Sequence, residues 1–130
     1  MGSDRRWLVA TYICLFLLGF VLGIWGAFLV PLRLPGGLEG LADVIGFAGP
    51  FLAGYFGALG SGSAPAAVMP GIGWILAVLL LNYSRGGDVV IPGSLGTDPG
   101  IAVVGTLFLL SGLVGTLLAG VLAGRRLRRR

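Results

Sequence analysis

Asp43, Asn82 and Asp88 are the polar side chains on which any solute chemistry of this chain would have to rest. A carboxylate or amide beside an apolar segment marks a cation site or a proton path when it lies deep in a bilayer. Asp43 is one turn inside such a segment, where it also reaches water or the positive end of its own helix as a simple cap. Between Val44 and Ser84 no charged residue occurs, which argues against a buried proton relay. Other chemistries lack their parts. Histidine is absent and Cys14 is the single cysteine, so neither a zinc site nor an intrachain disulfide is expected. Residues Thr11, Tyr12 and Ile13 before Cys14 do not make a lipobox. No serine or threonine has a base to activate it, and Ser111, Thr106 and Thr116 are expected to hydrogen-bond helix backbones or neighbouring helices. Gly71-Ile72-Gly73 lacks the strand and helix setting of a nucleotide fingerprint. The chain is read as a non-enzyme without a cofactor.

The elements that hold these residues are apolar. The chain is 56% hydrophobic and only 11% charged, against about 25% charged in an ordinary soluble domain. Residues 7–30 carry no charge, and as a helix they extend about 36 Å, enough to cross a hydrocarbon core of about 30 Å with some tilt. That run is too long for a cleaved signal peptide, so it is read as an uncleaved anchor. Further spans are expected at 41–60, with a kink at Pro50, at 66–83 and at 101–123. The connections 31–40 and 84–100 are external loops, each broken by proline and glycine, and 124–130 is a basic tail. The expected fold class is therefore an all-α membrane protein of one domain, four transmembrane helices in an antiparallel up-down bundle. A small multidrug transporter is excluded, since that family requires a glutamate in its first helix and residues 7–30 have none.

Every basic residue is arginine, and their positions set the expected orientation. Arg5, Arg6, Arg125, Arg126, Arg128, Arg129 and Arg130 fall on one side of a four-span chain, against Arg33 and Arg85 on the other. Positive residues are retained inside, so both termini are placed in the cytoplasm of a bacterial plasma membrane. The basic balance follows this topology, and nucleic acid is not the expected partner. Arg125, Arg126, Arg128, Arg129 and Arg130 are read as a topology anchor that meets anionic lipid headgroups, with about 1 kcal/mol gained per arginine near them.

Small residues supply the packing signal. Membrane helices associate where glycine, alanine or serine lets backbones approach. In the second span Gly46, Ala53, Gly57 and Gly60 share one arc with Pro50. In the fourth, Gly105, Gly112 and Ala119 recur at seven-residue spacing, and the first carries Gly19 and Gly23. The two halves also echo one another: Leu34-Pro35-Gly36-Gly37-Leu38 matches Ile91-Pro92-Gly93-Ser94-Leu95, and an offset of 59 residues lays Gly46, Ala53 and Gly60 over Gly105, Gly112 and Ala119. Two tandem hairpins of one orientation would have that pattern.

The run Pro70-Gly71-Ile72-Gly73-Trp74-Ile75, followed by Arg85-Gly86-Gly87-Asp88-Val89-Val90, resembles an uncharacterised family of small four-helix membrane proteins from actinobacteria, over residues 65–124. The resemblance implies the four-helix topology and a bacterial plasma membrane, and it draws attention to Gly87, Asp88 and Val89 in the external loop. It implies no activity or cofactor. The leading expectation is a structural or accessory subunit that packs against another membrane protein or a second copy of itself. The other is a small-solute transporter or oligomeric channel.

Overall fold

The computed structural model describes residues 2–29, 41–83 and 99–130, with side-chain surroundings over 2–28, 43–81 and 107–130. These residues form four α-helices: α1 (Gly2–Leu29), α2 (Leu41–Ser61), α3 (Met69–Tyr83) and α4 (Pro99–Arg128). A short 3-10 helix, Ala64–Ala67, leads into α3, and there is no strand among the described residues. Each of the four helical segments is long and apolar enough to cross a membrane, the third by joining the 3-10 helix to α3.

The helix ends differ from the sequence expectation where charged residues were taken for flanks. Nothing in Ser3-Asp4-Arg5-Arg6 breaks a helix, and α1 starts at Gly2 with Asp4 in its first turn, next to the positive end of the helix dipole. The expected tail from 124 is instead helical as far as Arg128, with Arg125, Arg126 and Arg128 in the last turn of α4. Arginine is a good helix former and its charge offsets the negative end of the dipole. Pro50 lies inside α2 without ending it, and its ring is fully buried.

The α2 end has a specific local cause. Gly62 takes φ 66°, and the Ser63 amide donates back to the Ala58 carbonyl at 3.2 Å. This six-to-one bond with a left-handed glycine is the Schellman stop. Pro65 then opens the 3-10 helix.

The helices pair as α1 with α3 and α2 with α4, and α1 also borders α2. Glycine contacts give the register. Gly19 abuts the Pro70 backbone and Gly23 abuts Trp74 and Ala77, so α1 and α3 ascend together. Gly46 meets Phe108 and Ser111, and Gly54 meets Ala119, so α2 and α4 do the same. Between α1 and α2 the order reverses, with Leu22 over Gly49 and Leu15 over Gly57. Two buried layers close the interior: Ala27, Trp74, Val78 and Phe108 in one, and Ala58, Ala66, Ala67 and Ala123 in the other.

Packing of α2 departs from the expected arc. Its buried positions are Gly46, Pro50, Gly54 and Ala58, a four-residue spacing, whereas Ala53 is half-buried and Gly60 is exposed. A Cβ at Gly60 would meet nothing within 4 Å, so Gly60 is removed from the seam. Under the offset of 59, exposed Gly60 is paired with fully buried Ala119.

Candidate functional site

Polar side chains converge at one end of the molecule. Because α1 and α2 run in opposite senses, the start of α1 lies beside the end of α2, where the Tyr12 and Ser63 hydroxyls share a hydrogen bond. Asp4 lines a hollow there with Trp7, Thr11 and Ser61. The end of α4 lies at the same level, since Ala123 packs on Ala58 and Ala66. Arg5 and Arg6 therefore share this end with Arg125, Arg126, Arg128, Arg129 and Arg130.

A polar concavity is built between α2 and α4. Tyr55, Leu122, Arg125, Arg126, Arg129 and Arg130 surround about 570 Å³. Helical periodicity accounts for most of the set: Leu122, Arg125 and Arg126 fall at three- and four-residue steps on one face of α4, and Arg129 follows in the turn after it, its amide donating to the Arg126 carbonyl at 3.3 Å. An Arg126 guanidinium nitrogen donates to the Tyr55 hydroxyl at 3.1 Å, tying the end of α4 to a ring on α2. That ring ends an aromatic ladder, with Phe47 and Phe51 stacked at 5.6 Å and Phe51 and Tyr55 at 5.9 Å. The described acidic residues are Asp4 and Asp43, and neither lines this cavity.

Asp43 stands at the opposite end, in the first turn of α2. It is half-buried, and its Oδ1 is shielded from solvent without a hydrogen-bond partner among the described residues. Asn82 belongs to the last turn of α3, but its side chain, like the whole of Asp88, lies outside the described residues. The structure thus does not bring these three together into a described site.

The interior between the ends is filled by close contact. A Cβ at Gly19 or Gly73 would overlap backbone of the facing helix, and one at Gly112 would overlap the Trp74 ring. At Gly57 it would lie 2.7 Å from Leu15. The surroundings of Gly105 lie outside the described residues. Trp74 and Phe108 pack with ring centroids 5.1 Å apart, and the Trp74 Nε1 is buried without a partner among the described residues. Thr116 is buried and donates to the Gly112 carbonyl at 2.8 Å, while Ser111 donates to the Phe108 carbonyl at 2.8 Å. These hydroxyls are engaged by their own helix. Cys14 is exposed. Among the described residues no three metal-ligating side chains come together.

Sequence reasoning had no seam positions at Gly54, Gly71, Gly73 or Gly115, and it gave Trp74 and Tyr55 no place in a site. The signal for the glycines was a four-residue spacing, as in Gly46, Pro50, Gly54 and Ala58. Tyr55 carried a weaker one: it is the single hydroxyl in a run of aromatics four residues apart, Phe47, Phe51 and Tyr55.

Fold and polar geometry define a class, an all-helical protein with four apolar helices each able to cross a membrane and its described arginines gathered at one end. No family model, no characterised protein and no solved structure matches the chain.

Proposed function

We propose that this chain is a multi-pass plasma-membrane protein, its four helices in an antiparallel bundle with both termini cytoplasmic, serving as a structural or accessory subunit that packs laterally against other membrane proteins or further copies of itself. The observation that carries the reading is the division of the surface. Small residues are spent inside, where helices meet, and the outward faces hold large apolar groups: Trp7, Trp25, Val44, Phe56 and Leu117 are each more than 60% exposed. In water such a surface would drive aggregation; in a bilayer it meets lipid or neighbouring helices at no such cost. The arginine distribution supports the orientation.

Extraction of native membranes in mild detergent tests the role. A stoichiometric partner or a homo-oligomer is expected to travel with the protein, and a monomer that captures nothing would overturn the subunit reading. Resistance to an alkaline carbonate wash tests membrane insertion separately.

One observation favours a second reading, a small-solute transporter or channel: the shielded Oδ1 of Asp43, which has no partner among the described residues. An unpaired buried polar atom costs about 1–3 kcal/mol, and function is one reason to keep it. Purified protein in liposomes would then pass a cation, and flux would fall in Asp43→Ala. Equal flux with and without the protein across a panel of ions and metabolites removes this reading.

A further inference from the structure

We infer that the arginine cavity between α2 and α4 is a binding site for the phosphate of an anionic membrane lipid, held at the headgroup by Arg125, Arg126 and Arg129 and along its acyl chain by the aromatic ladder of α2. The inference rests on the membrane reading above and goes beyond a general attraction of arginines to headgroups, because it assigns one lipid to one cavity.

Charge comes first. Four arginines line about 570 Å³, and no acidic side chain is among its lining residues. Guanidinium groups that line one concavity repel one another, and an anion placed between them relieves that repulsion. Phosphate suits them, since each guanidinium offers paired N–H donors in the geometry of two phosphate oxygens. The negative end of the α4 dipole opposes an anion there, but it amounts to about half a charge against several full ones.

Position comes second. The Arg126 bond to Tyr55 holds one guanidinium in place and leaves its other donors free. Tyr55 is an amphipathic group with its hydroxyl at the polar end and its ring stacked on Phe51, which in turn stacks on Phe47. From Tyr55 to Phe47 the ladder runs about 12 Å along α2, away from the arginines and toward the middle of the helix. Leu122 supplies the facing apolar wall from α4. A water-soluble phosphate would use the arginines and leave the ladder idle. A phospholipid uses both.

The hollow at the start of α1 provides the contrast. Arg5 and Arg6 border a concavity otherwise formed by Gly2, Val9, Ala10 and Ile13, with no hydroxyl and no aromatic ladder. They carry charge at the same end of the molecule without the same construction, which makes them the control.

The test uses the full chain, purified in mild nonionic detergent and titrated with phosphatidylglycerol, phosphatidylcholine or glycerol phosphate, with retained ligand read by mass spectrometry of the intact complex. One phosphatidylglycerol per chain is expected to be retained in preference to phosphatidylcholine by about tenfold. The double variant Arg126→Gln, Arg129→Gln should lose that preference, and Tyr55→Phe should weaken retention roughly two- to tenfold with helicity and melting unchanged. Arg5→Gln, Arg6→Gln removes equal charge and should retain the lipid as the parent does. Equal loss in both double variants would show diffuse attraction and overturn the site. Equal retention of phosphatidylcholine would also overturn it, and displacement by glycerol phosphate at matching concentration would assign the cavity to a soluble anion instead. None of these outcomes bears on the carbonate wash, so failure of the lipid site and failure of the membrane reading are told apart.

Discussion

A methyl group added at Gly19 or Gly112 has nowhere to go. At Gly19 it would overlap the Pro70 carbonyl, part of a backbone that cannot rotate aside, and at Gly112 the indole of a fully buried Trp74. Forcing atoms into packed interiors costs about 1–3 kcal/mol. Gly60 stands in the same class of residue and the opposite situation, exposed with nothing within 4 Å of a Cβ. There the methyl relieves the backbone entropy that glycine loses in a helix, a gain of about 0.5–1 kcal/mol. Thermal unfolding in detergent should therefore show Gly19→Ala and Gly112→Ala melting well below the parent, and Gly60→Ala at or above it. A Gly60→Ala variant as damaged as Gly19→Ala would mean that Gly60 faces a partner. The sequence made these glycines look equivalent because a helical arc groups residues by direction and carries no information on what stands opposite.

The same limit acts on whole helices. Apolar length made all four elements legible, since runs such as 7–30 have no other stable state in lipid and few breakers within them. Residue spacing misled about which face is inside. Seven-residue spacing implies a straight seam, so Gly46, Ala53 and Gly60 were grouped, but α2 buries Gly46, Pro50, Gly54 and Ala58. Four-residue spacing winds that stripe around the helix, because α2 meets α4 near Gly46 and the 3-10 helix near Gly54, where a Cβ would overlap the Ala67 carbonyl. The short connection after α2 was legible as a turn, and its chemistry is now definite. Gly62 at φ 66° is a position where an L side chain costs about 1–2 kcal/mol, while no atom lies within 4 Å of an added Cβ. Gly62→Ala should thus destabilise by about 1 kcal/mol through backbone strain alone, and Gly62→Asn by less, since asparagine tolerates the left-handed region. Equal melting of the two variants would point to a lost contact instead of strain.

At the scale of the molecule, the described arginines gather at one end of the bundle. Arg5 and Arg6 begin α1, Arg125 to Arg130 end α4, and the Tyr12 to Ser63 and Arg126 to Tyr55 bonds bring these segments to one end. Asp43 lies toward the other, in the first turn of α2. Retention of arginine on the cytoplasmic side turns this separation into an orientation that can be measured. Reporter fusions at Gly62 and Arg130 should be active inside, and a fusion at Gly93 outside. Replacing the five arginines of 125–130 with glutamine leaves Arg5 and Arg6 to orient α1, so the Gly62 reporter should hold its side while the end of α4 loses its bias. Replacing Arg5 and Arg6 as well leaves Arg33 and Arg85 as the only basic residues, and the population should become mixed or inverted. If the chain that keeps only Arg33 and Arg85 still inserts in the parental orientation, charge is not what orients it, and the exposed tryptophans Trp7 and Trp25 at opposite ends of α1 become the anchors to vary next.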